Sequence, residues 1–237
     1  MISAKMERRS PVHLPGKPEK TKMRDHWPVV LAYSEEGPGP WIVDFSHCRR
    51  WDIQSRDLDE ALPSGASLPE SPGSVVLHTT GLTGRAGQRQ AFHWLFNDKA
   101  AAPAGFGCTE ITEGSLCFAL LGGDIFKITE KLTSLDLCDP KHSAPFLLIG
   151  PFSNITCQIV VLRNDPKNAA VLISCSRGFA HDMVRAVLAA GEEFGLRPAG
   201  ERCLMEKLAE CGLRESGEVV RKPSKADKAK PVGRSRS

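Results

Sequence analysis

Three side chains in one short run, Asp44, Ser46 and His47, have the types of an acid, a nucleophile and a base. Their spacing argues against that chemistry. In the strand expected over 41–46, successive side chains face opposite ways, so Ser46 and His47 point apart and the group reads as structural. His78 and His93 fall on two runs expected to pair, where they can approach each other. Two histidines without a third ligand make a poor metal site, so none is expected. The eight cysteines include no C-x-x-C pair, which argues against a zinc ribbon or a thioredoxin-type redox site and leaves packed free thiols. Arg85 and Arg89 lie in or just after a glycine-rich stretch and Arg177 stands beside Gly178, and guanidinium groups in such turns bind carboxylates through paired hydrogen bonds.

The elements that must position these residues follow from the apolar pattern. Strands are expected over 27–33, 41–46 and 50–55, with a short helix over 56–62. The runs 74–80 and 90–96 are expected to pair as a hairpin through a glycine-rich connection, 81–87. Beyond a small-residue boundary at 100–107 the pattern is clearer: a strand over 116–121, then a helix capped by Asp124 that buries Ile125, Ile128 and Leu132. A two-strand ribbon over 155–163 and 169–175 turns through Asn164-Asp165-Pro166-Lys167-Asn168. The helix over 179–194 carries Met183, Val184, Val187, Leu188 and Gly191 on one face and stops at Gly195. A last short helix over 201–211 buries Leu204 and Leu208. This βαββα order from 115 to 201 marks a two-layer α+β unit.

The chain has 237 residues, 41% of them hydrophobic, enough for a substantial core. Its net charge of +3 conceals an asymmetry: 1–25 holds seven basic and three acidic residues, and 214–237 eight and three. The body between them is acidic. The first segment reads as a basic extended arm and the last as a disordered basic tail. Neither interleaves aromatics with its charges, so nucleic acid is not the expected partner. No run approaches the roughly 18 apolar residues of a membrane helix, and the first residues carry charge where a signal peptide is apolar. A cytoplasmic protein with no membrane partner is expected.

Ile42-Val43-Asp44-Phe45-Ser46-His47, followed by Trp51-Asp52-Ile53-Gln54, resembles the opening of the aminomethyltransferase (glycine cleavage T-protein) folate-binding fold. Ser115-Leu116-Cys117-Phe118-Ala119-Leu120-Leu121-Gly122-Gly123 resembles its second repeat. Val171-Leu172-Ile173-Ser174-Cys175-Ser176-Arg177-Gly178-Phe179-Ala180 and Glu192-Glu193-Phe194-Gly195-Leu196-Arg197-Pro198-Ala199-Gly200 are similar to the gamma subunit of heterotetrameric sarcosine oxidase, a short relative in that family.

The resemblance implies an α+β domain over 26–213, built of two ferredoxin-like half-repeats at about 41–96 and 115–206 and lacking the C-terminal barrel. It also implies a central cleft where the turns bearing Arg85, Arg89 and Arg177 meet, with Asp44 as a further lining residue. Two carboxylates of the folate-using members are missing: Gly84-Arg85-Ala86-Gly87-Gln88-Arg89 and Ser176-Arg177-Gly178-Phe179-Ala180-His181 occupy their turns. A pterin edge needs an acceptor pair that arginine cannot supply. The expectation is therefore an accessory subunit, not a catalyst by itself, partnered by larger oxidoreductase or one-carbon enzyme subunits. No cofactor is certain. The alternative is a tetrahydrofolate-dependent aminomethyl or methyl transferase with altered site residues.

Overall fold

The computed structural model describes residues 7–98 and 100–212; the basic tail expected over 214–237 lies outside them. Within the described residues two sheets stack, with two helices on the outer face of the larger sheet and a third beside the face that meets the smaller one. The larger sheet has six strands in the order β10 (Phe146–Phe152), β11 (Ile155–Arg163), β12 (Ala169–Ser176), β9 (Ser115–Gly122), β3 (Trp41–Asp44) and β13 (Arg197–Pro198). The smaller has five, in the order β5 (Val75–Leu77), β6 (Gly81–Arg85), β7 (Gln90–Leu95), β4 (Arg50–Gln54) and β8 (Cys108–Glu110).

Strand β9 shows how sequence dictates the layering. All eight of its residues are buried, so the strand reads as an unbroken apolar run rather than an alternating one. Alternation still sorts the side chains. Leu116, Phe118 and Leu120 pack with Ile125 and Ile128 of α1 (Ile125–Glu130) and with Met183, Val184 and Val187 of α2 (Ala180–Gly191). Cys117, Ala119 and Leu121 face Leu82, Phe92 and Trp94 of the second sheet, together with Leu204 and Leu208 of α3 (Glu201–Glu210). A third cluster, Trp51, Ile53, Leu58, Ala61, Ala91 and Leu95, forms on the second sheet.

Several expectations are corrected. The ribbon after α1 has a third strand, β10, antiparallel to β11 with Phe146 opposite Val161 and Phe152 opposite Ile155. Its Gly150 and Pro151 disguise it, and its place at the sheet edge tolerates the proline. The region expected as a short helix, 56–62, forms turns. Asp124 is left-handed (φ 60°) and makes no side-chain cap. The glycine-rich stretch 81–87 is not a hairpin connection: Gly81–Arg85 is itself a strand between β5 and β7.

Its glycines are there for space. A Cβ on Gly84 would lie 2.0 Å from the Phe92 ring, and one on Gly81 2.0 Å from the Trp94 carbonyl oxygen. The second clash is with backbone and cannot be relieved by a rotamer change. Gly81→Ala is expected to destabilise the fold by about 2 kcal/mol or more, read as a lower urea midpoint; a midpoint unchanged from wild type would show that the two strands can separate freely.

The arm before the first expected strand closes into a ribbon. β1 (Pro18–Arg24) pairs antiparallel with β2 (Trp27–Tyr33), Arg24 opposite Trp27. Trp27, Val29 and Ala32 turn inward and are buried. Gly200, just before α3, approaches β2 so closely that a Cβ would lie 2.2 Å from the Leu31 carbonyl carbon. The start of α3 is thereby set against β2. No helix among the described residues is long and apolar enough to cross a membrane.

Candidate functional site

Strand β3 ends at Asp44, one residue before strand alternation would begin to separate Ser46 from His47. The chain turns there. Asp44 Oδ1 accepts the Ser46 N–H at 3.0 Å and the Ser46 hydroxyl at 2.7 Å, and Ser46 Oγ in turn accepts the Cys117 N–H at 3.1 Å. Asp44 Oδ2 accepts the Ser10 hydroxyl at 2.5 Å, which ties the N-terminal arm to β3. The serine is fully engaged in holding the turn and is not an available nucleophile.

His47 swings the other way, towards the first residue of α3. Its Nε2 lies 2.9 Å from Glu201 Oε1 and 3.6 Å from Cys48 Sγ. A relay of the thiol–imidazole–carboxylate kind needs the two partners on different ring nitrogens; here both share one. Arg24 of β1 pairs with the same Glu201 oxygen. Glu201 is 3% exposed and sits at a helix N-terminus, where a carboxylate is favoured. Burial opposes a charged His47, but the Cys48 sulfur and the Glu201 carboxylate outweigh it and hold the imidazolium up to about 10. Burial likewise opposes the Glu201 charge, and His47 and Arg24 pull it below its ordinary value. His47 is thus a fixed cation at neutral pH, suited to charge recognition and not to proton transfer.

Above His47 the arm roofs a cavity of about 430 Å³. Ser10, Val12 and Leu14 come from the arm, Trp27, Val30 and Tyr33 from β2, and Asp44 and His47 from the floor. Burial, then the charges of Asp44 and Glu36, push the Tyr33 phenol up to about 12, so it stays neutral. A smaller hollow of about 390 Å³ lies on the other side of His47, among Arg8, Arg24, Asp25, Arg49 and Glu110.

Of the four cleft residues that the resemblance implies, only Asp44 lines the roofed cavity. Arg85, at the end of β6, donates to the carbonyls of Pro69, Glu70, Gly87 and Gln88 at 2.9–3.4 Å and so clamps two loops. Arg177 donates to the Arg9 carbonyl at 2.8 Å and the Glu113 carbonyl at 3.3 Å, pinning the arm. Arg89 lines a separate open hollow of about 650 Å³ with Gln54, Asp57 and Phe106. Tyr33, His47, Arg24 and Glu201 carried no sequence signal as a group, because the structure joins them across 177 residues.

The two histidines on the second sheet do approach. Thr83 Oγ1 stands 2.8 Å from His78 Nε2 and 2.8 Å from His93 Nδ1. His93 Nε2 is buried without a partner, and among the described residues no group of three metal-ligating side chains forms. Burial, then the charge of His78, holds His93 down at about 4. The unfolded chain takes up that proton near 6.5 and the folded chain only near 4, so stability is lost on its account as the pH drops from 6.5 through 4. His93→Gln is expected to flatten the decline of the urea midpoint across that interval, by on the order of 1–3 kcal/mol. An unaltered acid slope would assign the decline to other groups.

No protein-family model matches the sequence. No curated protein matches it either. Among solved structures, the fold is similar to that of a chain in the heterotetrameric sarcosine oxidase from Corynebacterium sp. U-96, determined in complex with pyrrole 2-carboxylate, with a TM-score of 0.54 at 13% identity over 65% of this chain and 84% of that chain. The likeness is one of fold: a mixed α+β architecture shared with a chain of that enzyme.

Proposed function

We propose that this chain is an accessory subunit, without a reaction of its own, that docks in a larger oxidoreductase or one-carbon enzyme as the sarcosine oxidase gamma subunit does in its complex. The likeness to a chain of a heterotetrameric enzyme carries the reading. By the two coverages that chain is shorter than this one, as a small subunit would be. We take 26–213 as one domain of the folate-binding type with half-repeats at about 41–96 and 115–206. The antiparallel pairing of β3 with β9, Trp41 opposite Leu121, supports this, since it sets the opening strands of the two halves side by side. The site supports it as well: Ser46 is engaged by its neighbours and His47 is locked in an ion cluster, an arrangement suited to binding.

Purification of the tagged chain from its native source tests the reading. A complex containing a much larger subunit is expected by native mass; elution as a stable lone monomer of 25.8 kDa overturns it.

The second reading, a tetrahydrofolate-dependent one-carbon transferase, is favoured by one observation: Asp44 brings a carboxylate to an enclosed cavity. Under it Asp44 remains a candidate ligand residue, while Arg89 lines a separate hollow and Arg85 and Arg177 already donate to backbone carbonyls. Saturable tetrahydrofolate binding that weakens on Asp44→Asn would support it, and absence of binding would remove it.

A further inference from the structure

Hydrogen-bonding capacity around the roofed cavity is unevenly used. Both oxygens of Asp44 are occupied, by Ser46 and Ser10. His47 is the opposite case. Its side chain is 7% exposed and its Nε2 is taken by Glu201 and Cys48, but its Nδ1 has no partner among the described residues. Nor is that nitrogen sealed in: the buried orphaned side-chain atoms among the described residues are Trp27 Nε1, His93 Nε2, Trp94 Nε1 and Gln158 Oε1. The Nδ1 therefore opens onto free volume, and in an imidazolium it is a charged donor.

Formal charge in the cavity wall is balanced, His47 and Arg9 against Asp44 and Glu7, so it is the unused donors that distinguish the site. Arg24 and His47 share the single carboxylate of Glu201, which leaves the cluster one positive charge in excess. In the smaller hollow, Asp25 and Glu110 already face Arg8 and Arg49. In the roofed cavity, the Tyr33 hydroxyl and the Arg9 guanidinium are further donors with no partner among the described residues. The one unused carboxylate in its wall is Glu7, exposed on the arm. Val12, Leu14, Trp27 and Val30 make much of the remaining wall apolar. A volume of about 430 Å³ falls in the range of small-molecule sites, about 300–1,000 Å³.

We propose that this cavity binds a small organic carboxylate with an apolar body, its oxygens meeting His47 Nδ1 and the Tyr33 hydroxyl and its hydrocarbon part resting on Trp27 and Val30. The site is independent of whether the chain docks in a larger enzyme. Titration of the full chain with 4-methylpentanoate, followed by calorimetry or NMR shifts, tests it against two isosteric controls, the neutral 4-methylpentanamide and the cationic 3-methylbutylamine. Saturable binding of the carboxylate is expected, with the amide weaker by on the order of tenfold, the difference a charged hydrogen bond makes. Tyr33→Phe should weaken binding several-fold without unfolding the protein, and Arg49→Ala, in the other hollow, should not change it. The proposal is overturned by no saturable binding, by equal affinity for carboxylate and amide, by preference for the amine, which would assign the cavity to Asp44 and Glu7, or by loss of binding on Arg49→Ala.

Discussion

Replacing Arg50 with methionine is expected to destabilise the protein by at least about 3 kcal/mol. Arg50 is fully buried at the start of β4, and among the described residues no carboxylate pairs with it. Its guanidinium donates instead to oxygens. Nη1 reaches the Cys48 carbonyl at 2.8 Å; Nη2 reaches those of Thr112, Ser115 and Ser46 at 3.0–3.2 Å; Nε and Nη2 both reach Ser115 Oγ. A planar fork of five donors is what lets one side chain satisfy two turns at once. Methionine has the length but none of the donors, so several carbonyls would be left buried and unpaired, each at about 1–3 kcal/mol. Against a total stability of about 5–15 kcal/mol, Arg50→Met stands close to unfolding. Arg50→Lys provides the milder test. Its compact ammonium can meet only some of these oxygens, so it should recover part of the loss in urea midpoint and not all of it. A loss below about 1 kcal/mol for methionine would show that water replaces the guanidinium and that the two turns hold themselves.

Arg50 also shows why the sequence discloses some of this fold and hides the rest. The strands β2, β9, β11 and β12 and the helix α2 are visible as apolar runs or faces, because each buries side chains against a neighbouring layer and must therefore be apolar at fixed spacing. β1 hides because its residues are almost all exposed, so no burial selects a pattern. β6 hides behind Gly81 and Gly84, which read as a turn and are instead the price of close approach to Trp94 and Phe92. β10 hides behind Gly150 and Pro151. The site is harder still. Asp44 and His47 attract notice as a catalytic-looking pair, yet beside its neighbour Cys48 what holds the charge on His47 is Glu201, a long-range partner that no local spacing signals and that Arg24 in turn keeps ionised. Fold follows from periodicity within elements, whereas this cluster follows from topology, from the way β1, the turn after β3 and the start of α3 meet.

That cluster makes its own strong prediction. Glu201→Gln removes the one anion between two cations, and with Glu201 3% exposed the expected loss is about 3–5 kcal/mol. The pH dependence of the wild type separates this from a packing defect. The His47 proton is held more tightly folded, near 10, than unfolded, near 6.5, so its contribution is whole below 6.5 and is lost as the pH rises through about 10. The Glu201 carboxylate is held below its ordinary 4.5, so its contribution is whole above 4.5 and is lost as the pH falls through the lower folded value. Between those limits the pair is at full strength. The urea midpoint of the wild type should therefore decline from pH 6.5 towards 10, by on the order of 2–4 kcal/mol in stability, and His47→Gln should remove that alkaline decline, shrink the part of the acid limb that comes from Glu201 and leave the part that comes from His93. One spectrum decides the premise directly. The His47 ring protons should keep imidazolium shifts at pH 8; a resonance that titrates near 6.5 would mean that the charge in the floor of the cavity is absent at neutral pH, and the reading of that floor as a fixed cation would fall with it.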